Sequence, residues 1–280
     1  MKLYTINTGF LKLDGGAMFG VVPKSIWNKL NPADENNMCS WAMRCLLVEY
    51  GDRLVLIDNG IGEKQNKKFL SYYYLHGDDT LEKSLRKYGF TPEDVTDVFL
   101  THLHFDHCGG SVKWNKDRTG YQLTFPNATY WSNEKHWQSA THANAREKAS
   151  FLKENILPIQ ESGQLKFIED ETELFSGFTV KYVYGHTEAM MLPHISFAGK
   201  TLVYLADLIP SVGHIPVPYV MAYDMNPLVS LEEKKKFLEH ASKENFILFF
   251  EHDRQNECCS LKMTERGVRE ASVMTLASLF

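Results

Sequence analysis

Four apolar stretches of this 280-residue chain run directly into a side chain that can hold a metal. "VTDVFLTH" reaches His102, "YVYGH" His186, "TLVYLAD" Asp207 and "FILFFEH" His252. Short runs this rich in β-branched and aromatic residues read as buried strands. Four strands that each end on a nitrogen or oxygen donor can serve one site only where their ends converge on one edge of a sheet pair. That requirement narrows the fold more than any other feature.

The remaining pattern agrees with sheets flanked by helices. "KLYTINT", "MRCLLVEY" and "RLVLIDNG" read as strands, with "YGDR" turning between the last two. "TLEKSLRKYG" reads as a helix ending at Gly89, and "TPEDV" restarts with Thr91 as cap and Pro92 in the first turn. "TYWSN" is a short strand, and the stretch from His136 to about Leu157 turns helical. "KFIED", "FTVKYVYGHT", "HISFAG" and "TLVYLADLI" are strand-like, with "AGKT" as the hairpin turn between the last two. "SLEEKKKFLEHASKEN" is a helix opened by a Ser230–Glu233 capping box. No linker or low-complexity tract interrupts the chain. Residues 1–280 therefore read as one α/β domain of two packed sheets with helices outside.

Within "FLTHLHFDHCGG", Phe99 to Gly110, His102, His104, Asp106 and His107 crowd into six positions. Any one of the eleven histidines, taken alone, is more readily a surface or hydrogen-bonded residue. With His186, Asp207 and His252 the set becomes five imidazoles and two carboxylates. One zinc takes about four ligands, and a catalytic zinc keeps one position open. Seven donors therefore fit two divalent ions. Nitrogen and oxygen without thiolate suit Zn, and also Fe, Mn or Co. The five cysteines are odd in number and show no C-x-x-C spacing, so they read as reduced thiols, with Cys108 a packing residue.

Composition removes other classes. The net charge of -5 offers no basic patch for nucleic acid. No run approaches the roughly 20 apolar residues of a membrane span. The N-terminal segment alternates like a strand and lacks a signal-peptide core, which points to a cytoplasmic protein.

The ligand motifs carry a family resemblance. H-x-H-x-D-H at 102–107 followed by Gly109 and Gly110, "GHT" at 185–187, "AD" at 206–207 and "EHD" at 251–253 resemble the metallo-β-lactamase fold superfamily over nearly the whole chain. The resemblance implies a four-layer αβ/βα sandwich of two mixed sheets flanked by helices, with the site at one edge. It implies that His102, His104 and His186 hold one metal. Asp106, His107 and His252 would hold the second, and Asp207 would bridge. Asp58, in "LIDNG", is either a support for the metal loop or a turn aspartate before Asn-Gly.

Within the superfamily, Asp14 to Trp27 ("DGGAMFGVVPKSIW") and "ADLIPSVGHIPVPYVMAYD" resemble the quorum-quenching lactonase and organophosphate-hydrolase branch. The H-x-H opening argues against the di-iron branch. Two positions depart from the pattern. His194 is displaced from the usual second histidine, and Pro210 and Ser211 stand where acyl-homoserine lactonases carry a tyrosine. Tyr219, Tyr223 or His214 are candidates to substitute. Met18, Phe19 and Trp27 belong to an apolar stretch that reads either as core or as the wall of an acyl pocket. "FLSYYYLHG", Phe69 to Gly77, reads as a lid or a dimer contact.

The expected function is a dinuclear metal hydrolase that opens a lactone, the acyl-homoserine class foremost, by attack of a metal-bridging hydroxide. Asp106 would shuttle the proton to the leaving oxygen, and Asp207 would bridge the metals. A phosphotriesterase or aryl-ester hydrolase on the same metals is the alternative. A non-catalytic metal-binding or sensing protein is the alternative of another class. The expected partner is a small ester or lactone, with a homodimer compatible.

Overall fold

The computed structural model describes residues 1–279. The chain folds as two compact units. Unit 1 takes Met1–Gly9 with Met43–Asp170, and unit 2 takes Phe10–Ala42 with Glu171–Phe280. Each unit therefore draws on two segments separated in sequence.

The first eight strands are β1 (Lys2–Asp14), β2 (Met38–Tyr50), β3 (Arg53–Ile57), β4 (Asp97–Phe99), β5 (Val112–Trp114), β6 (Tyr121–Leu123), β7 (Thr129–Ser132) and β8 (Leu165–Phe167). Six of them form a sheet in the order β1-β2-β3-β4-β7-β8, and β5 pairs with β6. β2 and β3 are antiparallel, whereas β3, β4, β7 and β8 pair in parallel. The apolar runs of β3 and β4 follow from this, because inner parallel strands are covered on both faces. Leu56, Val98, Leu100, Tyr130, Trp137 and Ile159 build the core of unit 1. Cys108 belongs to that core, and its thiol donates to the Leu103 carbonyl at 3.3 Å. Burial pushes the thiol up to about 12.

Two helical expectations change here. The stretch from His136 to Leu157 is two helices, Glu134–Thr141 and Lys153–Glu161, separated by turns at 142–152. Asn144 accounts for the break: its Oδ1 accepts the N–H groups of Arg146 and Glu147, an alternative to helical pairing. "TPEDV" is one 3₁₀ turn, Pro92–Asp94, in which the Asp94 carboxylate folds back onto the N–H and hydroxyl of Thr91.

Unit 2 is built on β9 (Glu173–Phe175), β10 (Phe178–Val183), β11 (Met190–Phe197), β12 (Lys200–Tyr204), β13 (Ile247–Phe249), β14 (Cys258–Thr264) and β15 (Gly267–Met274). They form one sheet in the order β15-β14-β13-β12-β11-β10-β9. β11 turns into β12 through Ala198 and Gly199, both at positive φ, the tight hairpin geometry expected of "AGKT". β12 and β13 are parallel, with the helix Pro227–Lys243 between them in sequence. β10 and β12 are both antiparallel to β11, so they run the same way. The C-terminal ends of β10, β12 and β13 thus lie on one edge of this sheet.

The capping box placed at Ser230 and Glu233 is corrected. The helix begins at Pro227 after Asn226, because proline needs no N–H partner in the first turn. Ser230 is buried inside it. Glu233 instead accepts the N–H groups of Tyr184 and Gly185 at 2.8 and 3.0 Å. Among the described residues no helix is long and apolar enough to cross a membrane.

Candidate metal centre

Each of the four donor strands ends three residues before its ligand: Phe99 to His102, Val183 to His186, Tyr204 to Asp207, Phe249 to His252. In unit 1 the ligand loop leaves β4 under tight control. The Leu100 N–H still pairs with Trp131, and the Thr101 N–H donates to Asp58 Oδ1 at 2.8 Å. The Thr101 hydroxyl donates to Asp58 Oδ2 at 2.7 Å, so its oxygen accepts from His102 Nδ1–H at 3.1 Å. Asp58 Oδ2 also accepts from His107 Nδ1–H at 3.2 Å. One aspartate thereby orients two rings. It stands at φ 54, a left-handed backbone that aspartate tolerates better than most residues.

The rest of the loop is fastened from behind. His136 Nε2 accepts the Leu103 N–H at 2.8 Å. Gly109 and Gly110 leave no room for a side chain: a Cβ would stand 2.1 Å from the Ile61 carbonyl oxygen and 2.2 Å from that of Asn59. Lys64, buried, donates to the Gly109 carbonyl at 2.5 Å, and burial pulls its amine down to about 8. Phe69 and Tyr73 pack on Phe105, so the aromatic segment that reads as a lid or a dimer contact lies against the ligand loop. Burial and the Asp106 charge push the Tyr73 phenol up to about 12.

His104 donates Nε2–H to the buried Glu147 at 3.1 Å. Its Nδ1 lies 3.1 Å from His102 Nε2. Both of these facing nitrogens are the ones left without a proton by the outer contacts. Two lone pairs at that distance call for a cation between them. Asp106 Oδ2 stands 4.0 Å from the open Nε2 of His107.

Unit 2 shows the same logic with other partners. Asp207 Oδ2 lies 3.0 Å from His186 Nε2, and Asp207 Oδ1 lies 3.1 Å from His252 Nε2. The residue before it, Ala206, is at φ 43, an uncommon backbone for alanine. His186 Nδ1 donates to Asp224 at 2.8 Å, and His252 Nδ1 donates to the Ala42 carbonyl at 2.7 Å. Burial opposes a charge on His186, but Asp207 and Asp224 outweigh it and raise the ring well above its ordinary value, so a metal at Nε2 would take the place of a proton there. A carboxylate that offers one oxygen to each of two rings has the shape of a bridging ligand. Gly185 lets His186 sit close to the long helix, since a Cβ there would meet the Ser230 nitrogen at 2.3 Å.

The donor chemistry fits divalent metal ions. Every expected ligand histidine has one ring nitrogen bound to an acceptor and keeps the other for a metal, the usual outer arrangement of a histidine ligand. Asp224, Glu147, His136 and Glu233 escape a reading of the sequence. The first three carry no local signal, and the spacing of Glu233 from Ser230 suggests a cap.

The residues expected to line the mouth belong to unit 2. Met18, Phe19 and Trp27 are fully buried, and Phe19 stacks between Trp27 at 5.5 Å and His214 at 4.3 Å. His214 is spent on both nitrogens, Nδ1 on the Ser211 hydroxyl and Nε2 on the Met18 carbonyl. Burial drives it down to about 3, so it is neutral. Tyr219 meets Phe19 edge-on, and Tyr223 is exposed. His194 lies on β11 against Phe237 and Phe246, within unit 2's sheet and helix.

Residues 44–252 match the Metallo-beta-lactamase superfamily model, and the chain belongs to that family, with its mixed α/β fold and its metal-dependent hydrolase chemistry. The N-acyl homoserine lactonase AiiA of Bacillus thuringiensis subsp. kurstaki is 25% identical over 269 residues, 91% of this chain and 94% of that protein. Among solved structures, a probable metal-dependent hydrolase from Staphylococcus aureus matches with a TM-score of 0.89 at 27% identity, covering 98% of this chain and 96% of that one. AidC, a dizinc quorum-quenching lactonase in complex with a product, matches with a TM-score of 0.77 at 26% identity, covering 98% and 95%.

Proposed function

We propose that this protein opens lactones, N-acyl homoserine lactones foremost, at two divalent metal ions, with units 1 and 2 acting as one hydrolase domain. His102, His104 and His186 would hold one ion, Asp106, His107 and His252 the other, and Asp207 would bridge. The observation that carries this is the Asp207 carboxylate, which offers separate oxygens to His186 and His252 and so supports giving those rings to different ions. The names of the relatives at 25–26% identity support the lactone. When bound, the ions supply Lewis acidity toward the carbonyl and lower the pKa of water.

The chain's own residues do the rest. The outer hydrogen bonds hold the ligand rings in one orientation before substrate arrives, so little reorganisation remains for the reaction. Asp106 would both hold an ion and pass a proton toward the leaving alkoxide, two compatible roles. Zinc is the first choice of metal, with Fe, Mn and Co compatible with the same donors.

The test is a panel of short- and long-chain N-acyl homoserine lactones, followed by a phosphotriester and an aryl ester, on protein of measured metal content. Turnover of the lactones at two metals per chain is the expected result. Phosphotriester or aryl-ester turnover without lactone turnover would replace the substrate assignment. Two bound metals with no turnover of any substrate would point to the sensing alternative.

A further inference from the structure

The five ligand histidines differ in which ring nitrogen they keep open. His102, His107, His186 and His252 each commit Nδ1 to an acceptor, which leaves Nε2. His104 alone is reversed. It commits Nε2 to Glu147 and leaves Nδ1, 3.1 Å from His102 Nε2.

Glu147 is 4% exposed and sits in the 142–152 segment, where the expected helix breaks. Asn144 both makes that break and steadies the carboxylate. Its Oδ1 accepts the Glu147 N–H at 3.1 Å, and its Nδ2 donates to Glu147 Oε2 at 3.4 Å. The same segment is tied to the ligand loop, since the Ser150 carbonyl accepts the N–H of Phe105, the residue after His104. The Ser150 N–H in turn donates to the Glu147 carbonyl at 2.8 Å. A buried carboxylate and a buried ring N–H are each stabilised by a partner, and Glu147 and His104 supply one to the other. A neutral imidazole has one N–H, and whichever nitrogen carries it is closed to a metal.

We propose that Glu147 is a positioning residue that closes Nε2 of His104 and thereby commits this one ring to metal attachment through Nδ1. The proposal rests on His104 being a metal ligand, and not on the identity of the substrate. It also gives the broken helix a purpose: a continuous helix over 142–152 has no segment that turns back to the ligand loop.

The experiment compares Glu147→Ala and Glu147→Gln with the natural protein, all zinc-loaded and ¹⁵N-labelled at histidine. Two quantities are read: zinc retained against a competing chelator, and the nitrogen through which each ligand ring is attached. In the natural protein one ring is attached through Nδ1. In Glu147→Ala the affinity of one zinc falls roughly 10–100-fold, the usual effect of losing such an outer partner, and the Nδ1 attachment is lost or becomes mixed. In Glu147→Gln the neutral amide oxygen still accepts Nε2–H, so the attachment persists and zinc loosens by a smaller, measurable factor. Natural retention with an intact Nδ1 attachment in Glu147→Ala would overturn the proposal. Should that variant not fold, Glu147→Ser, whose side chain is too short to reach His104, takes its place, and natural retention with an intact Nδ1 attachment there overturns the proposal equally. Natural protein that binds zinc but opens no lactone would sink the lactone reading alone, because neither readout involves a substrate.

Discussion

The two units prepare their ligands in opposite ways. Unit 1 concentrates four donors in one loop and supports them economically: Asp58 orients His107 directly and His102 through Thr101. Unit 2 spreads three donors over three strand ends and gives each of its rings a private partner, Asp224 for His186 and the Ala42 carbonyl for His252. A loop can share a support because its ligands are neighbours. Scattered ligands cannot, so their supports must each come from elsewhere in the chain. The contrast makes the two halves fail differently when damaged.

The largest effect is expected at the residue that joins the scattered ligands. Asp207→Ala removes a donor that faces both His186 and His252. It should cost at least one metal and nearly all turnover, as read by metal analysis and initial rates. A variant that kept two metals and full activity would break the dinuclear model.

Next comes the shared support. Asp58→Ala should weaken both metals, each by roughly 10–100-fold, because His102 and His107 are assigned to different ions. Chelator competition that found only one metal loosened would break the sharing argument. Asp224→Asn makes the matched comparison. The amide oxygen can still accept Nδ1–H of His186, so one metal should loosen, by about tenfold at most. Equal damage from Asp58→Ala and Asp224→Asn would erase the difference between the halves.

Effects behind the ligands should be smaller. Cys108 sits in the ligand loop by sequence but in the core by structure. Cys108→Ala should lower stability by about 1–2 kcal/mol, as a modest core truncation does, and leave metal content unchanged. In the folded protein the thiol should resist alkylation, since burial keeps it protonated.

A last test is confined to unit 2 and uses pH. His214 is held neutral by burial, with its pKa lowered from 6.5 to about 3. The unfolded chain therefore binds one more proton between those values. The contribution of this site is intact above pH 6.5 and declines as pH falls toward 3. Replacing His214 by Gln should flatten the acid side of the stability profile by about one proton, measured by denaturant titration across that range.

Much of the candidate site was legible in the sequence because its signals are local. An apolar strand followed within three residues by histidine or aspartate can be read from a window of about ten residues, and it recurs at His102, His186, Asp207 and His252. Asp58, next to the strand "RLVLI", was pointed to only by the family resemblance, with a turn aspartate before Asn-Gly as the equal reading. The other supports were not legible. Ala42 and His252 are 210 positions apart, and Asp224 and His186 are 38 apart. Nothing near Glu147 marks it as the partner of His104, and helical periodicity even argued for the wrong local structure. Phe19 and Trp27 show a local pattern that leaves two readings open. An apolar stretch broken by Gly20 and Pro23 reads equally as wall or core, and only packing shows both rings buried and stacked.

The sequence by itself supplied the candidate donors and the strands that four of them follow, because strand periodicity and ligand chemistry are properties of neighbouring residues. Only the tertiary structure decided which nitrogen of each ring stays open and which oxygen of Asp207 faces which histidine. Those choices are made by hydrogen-bond partners that lie far off in the chain and become neighbours only through folding.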